Sequence, residues 1–475
     1  MNHDIDCMTN DKKQRYRALL PVVFSLAWPT MVEETMQTAV QYIDTAMVGK
    51  LGTDATAAVG STATVNWLLG STIYAFGIGF LAYISQALGA GESERVKRAS
   101  AQSVLMVLLT GIVFTVLTTC LSPYVPAWMQ VEQRLRPLAS RYFLILYLPM
   151  LPRTASAIFG TVLRAAGDTR TPMRVGVGVN LMNVVLNFLL IYESRTVSIF
   201  GGSFTMWGAG LGVSGAAIAS AVSFTFGGAA ITVALFRHKT ISPRGCSVRP
   251  DRATLRPIFR VALPNMAQRF TTSLGYVVFA SMINALGDVA TAAHTVANTV
   301  ESAFYIPGYG MQTAAATLTG NAIGMRDRQR QKDLSVLIVA IEVVMMLVTG
   351  GLLFAFAPQM VRLFSKDPKV VALGSTVLRM VACSEPIYGI SIVVEGMLQG
   401  AGRTRAPFAF NVAGMWGVRI LGTFLCIRFL HGGLVSAWAC MIAHNILLCL
   451  LFVIYYRMLE RKTFNGKDCD LSGVL

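Results

Sequence analysis

Charge is scarce in this chain. Asp, Glu, Lys and Arg make up 13% of its 475 residues, about half the share of an ordinary soluble domain. That shortage excludes a soluble globular fold of this length. Only five histidines occur, and His294 and His444 lack the spacing of metal ligands. The Gly-rich turns carry no Lys-Ser or Lys-Thr to cradle phosphate, which excludes a P-loop. The eight cysteines, at 7, 120, 246, 383, 426, 440, 449 and 469, form no CxxC pair. They read as small apolar packing residues. No enzyme constellation remains, and neither a cofactor nor catalysis is expected.

Apolar residues are abundant, at 54%. Twelve stretches, beginning near 19, 58, 99, 138, 172, 209, 257, 291, 334, 373, 407 and 433, approach the ~20 residues needed to cross a bilayer. They are too long and too uniformly apolar for barrel strands, so the expected fold is an all-α membrane protein. The first run follows Lys12, Lys13, Arg15 and Arg17. It continues past Pro29 to Val48 without a small-x-small cleavage site, and reads as a retained helix. The net charge of +16 invites a nucleic-acid reading, but its placement argues against one. With the N-terminus inside, cytoplasmic segments carry 27 Lys and Arg, external loops nine, and apolar runs the other four, Arg153, Arg269, Arg379 and Arg419. That is the positive-inside pattern. It implies a multi-pass protein of the inner cell membrane with both termini cytoplasmic, in contact with lipid and with no nucleic-acid partner.

The chain also repeats itself. Leu26-Ala27-Trp28-Pro29 returns at an offset of 235 residues as Val261-Ala262-Leu263-Pro264. Gly89 returns as Gly324, and Ala166-Gly167-x-Thr169-Arg170-x-Pro172 as Ala401-Gly402-x-Thr404-Arg405-x-Pro407. A period this long means two domain-sized halves rather than a solenoid. Six spans per half is even, so the halves are parallel repeats, and a duplicated apolar chain points to a transporter with its site between the halves. The expected division is 1–236, a cytoplasmic linker 237–256 with one short interfacial stretch near its end, and 257–475. The early prolines, Pro29 and Pro264, should bend the first helix of each half. Val213-Ser214 matches Val435-Ser436, so the first half carries 13 extra residues, placed in an external loop around Glu193 to Met206.

These motifs resemble a known family. Ile43-Asp44-Thr45-Ala46-Met47-Val48-Gly49 with Leu51-Gly52 resembles the first-helix signature of multidrug and toxic compound extrusion (MATE) antiporters. Leu163 to Arg170 and Gly400 to Arg405 resemble the Gly-rich turn after the fourth helix of each lobe. Ala292-Ala293-His294 with Glu301-Ser302 resembles the eighth helix, and Gly212 to Ala219 the sixth. The resemblance implies two six-helix lobes around a central V-shaped cavity. It implies export of organic, cationic or amphipathic, drug-like compounds in exchange for inward Na⁺ or H⁺, by a monomer.

Asp44 is the first candidate, because a carboxylate in a membrane helix carries a cost of a few kcal/mol unless it has a function or a partner. Asn180, Asn183 and Asn187 share a face of the fifth span through their spacings of three and four. Their amide carbonyls suit a hard cation. The resemblance makes Asp44 the cation-coupling carboxylate, places Asn183 and Ser220 beside it, and finds Asn187 where a second carboxylate often stands. Na⁺ at Asp44, Asn183 and Asn187 is one reading, a proton another, and interhelical polar contacts of about 0.6 kcal/mol each a third. The second half does not repeat this cluster: Asp44, Asn183 and Asn187 map to Phe279, Val418 and Gly422. It carries Glu301, Glu385 and Glu395 instead, either a second protonation site or buried acids satisfied by Arg269, Arg379 or Arg419. Glu33, Gln37 and Gln41 share an i, i+4 face of the first span. With Glu34, Asn66 and Tyr305 they are candidates for a cavity lining. Two alternative functions make different demands on the sequence. A lipid-linked saccharide flippase of the same superfamily calls for a strongly cationic cavity and more than twelve helices. A membrane sensor or scaffold calls for a soluble domain or a long tail.

Overall fold

The computed structural model describes residues 12–199 and 202–463. Nearly all of them are helical. In chain order the helices are α1 (Lys12–Gly49), α2 (Thr53–Gly89), α3 (Ser93–Leu121), α4 (Val125–Trp128), α5 (Arg136–Tyr147), α6 (Met150–Ala165), α7 (Arg170–Leu190), α8 (Gly212–Arg237), α9 (Arg252–Asn284), α10 (Asp288–Gly324), α11 (Arg328–Phe364), α12 (Pro368–Gly400), α13 (Arg405–Val412), α14 (Leu421–Phe429) and α15 (Leu434–Thr463). A π-helical stretch, Ala413–Ile420, joins α13 to α14. α5 and α6 are one span bent by 49° at Leu148-Pro149, where proline withholds a backbone donor. Counted this way the described residues form twelve spans, each starting within seven residues of its sequence-derived start.

Eight of the described helical segments are long and apolar enough to cross a membrane, or nine with the bent pair. The remaining three spans, α1, α9 and α10, are the most polar. α1 holds Glu33, Glu34, Gln37, Gln41 and Asp44, α9 holds Gln268 and Arg269, and α10 holds His294 and Glu301. A polar helix at membrane depth must turn those groups toward protein or water. α1 runs through Pro21 and Pro29, and α9 through Pro257 and Pro264, without a break.

The chain forms two compact units. One takes in the chain up to Glu34, Leu81–Glu92 and Arg256 onward; the other takes in Thr35–Phe80 and Ser93–Leu255. α1 and α2 therefore each contribute to both. In the first unit the core is built from two apolar clusters. One gathers Phe279, Val300, Leu353, Val377 and Trp438, the other Leu26, Met311, Leu318, Val393 and Phe452. In the second unit Met47, Val48, Ile191, Val213 and Ala216 pack at the end of α1.

The duplicated motifs explain two local geometries. Gly167 and Gly402 both sit at positive φ, 85° and 72°, a conformation that glycine adopts at no steric cost. Each closes its helix the same way. Asp168 and Arg403 donate their backbone N–H to Leu163 and Leu398, at 3.0 and 2.9 Å, satisfying carbonyls left open at a helix end. Gly89 and Gly324 meet one another's neighbourhood: a Cβ on Gly89 would strike the backbone of Asn321, and one on Gly324 the backbone of Gln86. Gln86 and Asn321 are themselves 235 residues apart, so the contact is mutual.

The extra segment of the first half is more ordered than the loop read from sequence. It forms an antiparallel pair, β1 (Glu193–Ile199) with β2 (Gly202–Ala209). In the connector the helix resumes at Arg252, capped by Asp251. Its carboxylate accepts from Ala253 N at 3.0 Å and Thr254 Oγ1 at 2.6 Å; the Thr254 hydroxyl is the larger cause holding the Asp251 carboxyl below its ordinary range. Six described cysteines are free thiols; Cys7 and Cys469 lie outside the described residues.

Candidate functional site

α7 is inside out. Its buried residues are Pro172, Asn183 and Asn187, while Leu181, Val185 and Phe188 are exposed. A helix that turns its amides inward and its large apolar residues outward is built for a lipid surround. The inward amides meet Asp44. Asn187 Nδ2 donates to Asp44 Oδ1 at 2.6 Å. Asn183 Nδ2 donates to the two Asp44 oxygens at 2.8 and 3.1 Å, and its Oδ1 accepts from Ser220 Oγ at 3.1 Å. The end of α1 is pinned to the end of α7 by Tyr192 Oη, which donates to Met47 O at 2.9 Å. Asp44, Asn183, Asn187 and Ser220 are thus one cluster. Asn180 is half-buried and takes part in none of these bonds.

An N–H 2.8 Å from a carboxylate oxygen is a hydrogen bond, whereas a carbonyl oxygen in that place would repel it, so Asn183 presents its amide nitrogen to Asp44. Asn187 Oδ1 is buried without a hydrogen-bond partner, a further oxygen available to a hard cation.

Beside this cluster the sequence reading missed a pairing. Arg153 of α6 donates to Asn66 Oδ1 at 2.6 Å, and its guanidinium lies over the Phe224 and Tyr147 rings at 4.8 and 5.4 Å. The signal was Arg153 itself, a cation inside an apolar run. Asn66 is therefore held by a cation, whatever else it faces. Gln37 and Gln41 are exposed, and Glu33 and Glu34 half-buried. Glu33, Glu34 and Tyr305 fall in the first unit; Gln37, Gln41 and Asn66 fall in the second.

The acids of the second half gather on α10, α11 and α12. Glu301 is buried, and so, fully, are Glu385 and Glu342. Glu385 lies within electrostatic reach of both others. Among the described residues, no donor reaches a carboxyl oxygen of Glu342 or Glu385. Two glycines make the room for Glu342: a Cβ on Gly308 would come within 2.7 Å of its Oε1, and one on Gly389 within 3.1 Å. Gly389 lies one turn after Glu385 on α12, and Gly308 two turns after Glu301 on α10, so the three carboxyls occupy facing strips. Sequence reasoning passed over Glu342, although a lone acid in the run Ser335 to Gly351 was the signal. Glu395 is set apart, accepting from Gln268 Nε2 at 2.7 Å and Gln399 Nε2 at 3.3 Å. Among the described residues, Arg419 acts electrostatically on Glu301. Arg269 donates to Asn265 Oδ1, and Arg379 lies against Phe354. Arg419 itself sits over the rings of Phe279 and Tyr276, at 4.2 and 4.8 Å. Tyr305, Tyr309 and Tyr388 close the cluster: the hydroxyls of Tyr309 and Tyr388 are 3.2 Å apart, and Tyr305 meets Tyr388 edge-on at 5.5 Å. His294 accepts from Trp438 Nε1 at 3.2 Å, a packed histidine as expected.

The family model described as MatE matches residues 29–189 and again 264–425, the same 235-residue offset as the internal repeat. The chain belongs to the MatE family. It is a multi-pass membrane transport protein with the family's fold of twelve helices in two lobes. A "Probable multidrug resistance protein NorM" of Thermotoga maritima is 26% identical over 434 residues, covering 91% of each chain. The "Multidrug resistance protein PmpM" of Pseudomonas aeruginosa is 24% identical over 412 residues, covering 85% of this chain and 83% of that one. A solved MATE structure, described as a complex with MaD3S, superposes with a TM-score of 0.86 at 22% identity, covering 96% of this chain and 99% of that one. Within the MatE fold, Asp44 belongs to the first matched segment, and Glu301, Glu342 and Glu385 to the second.

Proposed function

We propose that this MatE chain is a secondary antiporter that exports organic, cationic or amphipathic, drug-like compounds in exchange for an inward cation. The names of its NorM and PmpM relatives support the drug-like substrate class. The observation that carries the coupling reading is the Asp44 carboxyl held by the amides of Asn187 and Asn183. Asp44 takes up the inward cation, Na⁺ or H⁺. The buried acids Glu301, Glu342 and Glu385 form a second protonation site in this reading, with Glu395 held apart by its amide donors. The Lys and Arg asymmetry supports an inner-membrane protein with cytoplasmic termini, acting as a monomer.

The test is ethidium efflux from proteoliposomes under separately imposed Na⁺ and proton gradients. Efflux driven by one of them supports the antiporter and names the ion. Efflux that follows neither gradient overturns it.

A further inference from the structure

Two cysteines of the first unit face one another. Cys426 of α14 and Cys440 of α15 bring their sulfurs to 3.8 Å. Both thiols are free and half-buried. The backbone around both residues is held in place. Cys426 O accepts from both Leu430 N, at 3.2 Å, and Gly432 N, at 2.9 Å, so the residue anchors the turn that joins the two helices. Gly422, one turn earlier on α14, leaves open the space where Cys440 lies: a Cβ there would sit 3.3 Å from its sulfur. Bonded sulfurs stand about 2.05 Å apart, so closure asks each to move less than 1 Å. Cys426 lies three residues before the end of α14, and Cys440 six residues after the start of α15. At ~1.5 Å per residue both sulfurs lie within about 10 Å of the connection Leu430–Gly433. Phe429 and Leu430 there are exposed.

We propose that Cys426 and Cys440 form a disulfide-bonding pair, a redox-controlled modification site that staples α14 to α15. The oxidant is a small-molecule or protein disulfide. A thiolate of one cysteine attacks it and expels one thiol, giving a mixed disulfide; the second cysteine attacks that sulfur and expels the other thiol. Two cysteine thiols become one disulfide, and the oxidant leaves as two thiols. The bond joins the outer half of span eleven to span twelve just beyond the π-helical stretch, so it fixes the element that follows that irregular segment. The site faces an oxidising compartment in the topology proposed above; that part of the inference rests on the topology, and the pairing itself does not.

The experiment equilibrates the purified full chain with glutathione held mostly as its disulfide, alkylates the remaining thiols, and maps the peptides by mass spectrometry. Cys426 linked to Cys440, two hydrogens lighter than the separate peptides and released by excess reduced glutathione, is the expected result. Both residues recovered as alkylated or glutathionylated monomers would overturn the pair. Cys440→Ser should lose the linked peptide and leave Cys426 glutathionylated; a Cys426 link to any other cysteine in that variant, or in the parent, also overturns it. A pair that links in this buffer but is recovered reduced from cells alkylated before lysis contradicts the outward placement of the α14–α15 connection and leaves the pairing standing.

Discussion

Position 44 and its repeat equivalent, position 279, show how far the two halves have parted. In the first, the carboxylate of Asp44 is gripped by amide donors from α7. In the second, the ring of Phe279 carries the Arg419 guanidinium on its face at 4.2 Å. One position binds through a negative charge with its donors in place, the other through a π face. The acids follow the same division. Asp44 has its hydrogen bonds, whereas Glu342 and Glu385 are deeper and have none among the described residues. A hydrogen-bonded carboxylate can keep its charge at membrane depth; a carboxyl without donors is stable there only as the neutral acid. The duplication thus supplied one scaffold with two chemically different polar sites.

The largest expected effect tests the first of them. Asp44→Asn should abolish gradient-driven efflux while leaving expression and folding intact, because amide and carboxylate match in size and only the exchangeable charge is lost. Normal ethidium efflux by well-produced mutant protein removes Asp44 from the coupling site. Next in size is packing that the halves share. Gly89→Ala and Gly324→Ala should each destabilise the protein by about 3 kcal/mol or more, since the new methyl meets backbone that cannot swing aside. Gly351→Ala, with open space around it, should be close to neutral. Thermal unfolding in detergent separates these outcomes, and unequal losses at Gly89 and Gly324 break the mutual-contact account.

The spans, the repeat and the first-half cluster were legible in the sequence because each rests on a regular signal. Hydropathy marks the spans, a fixed offset marks the repeat, and an i, i+4 step puts Asn183 and Asn187 together. What stayed hidden depends on irregular or long-range geometry. Asn180 shares the helical face on paper, yet it makes none of the bonds formed by its two neighbours. Glu342 went unread, because the slot that Gly308 and Gly389 open for it comes from two other helices. The hairpin of β1 and β2 carries no sustained period-two alternation, and read as a loop inside a helical protein. Nothing in the letters from Ala413 to Ile420 announces a π-helical stretch, within which Gly414 leaves room for the His444 ring.

A smaller effect sharpens the contrast between satisfied and unsatisfied acids. Glu342→Met should stabilise the chain by about 1–3 kcal/mol, because a buried polar group without partners carries its full desolvation cost. It should also weaken proton-driven efflux if the α10–α12 acids take part in coupling. A higher unfolding temperature with unchanged transport assigns Glu342 no part in coupling, and a lower one shows that its carboxyl has a donor after all. The subtlest change is Asn187→Asp. A second carboxylate beside Asp44 should strengthen attraction for a cation and shift efflux several-fold toward Na⁺ dependence, read as transport against Na⁺ concentration at fixed pH. Unchanged Na⁺ dependence in an active mutant places Asn187 outside the ion site.

The mutual seat of Gly89 and Gly324 has a consequence for ancestry. Each glycine faces the main chain beside its own twin, so a substitution in one copy cannot be rescued by trimming a side chain in the other. The duplicated gene was free to drift at Asp44 and Phe279, where each copy answers only to its own surroundings. At the two glycines, drift in either copy injures both. Fusion of the halves into one chain turned an ordinary close contact into a point where the copies cannot diverge separately.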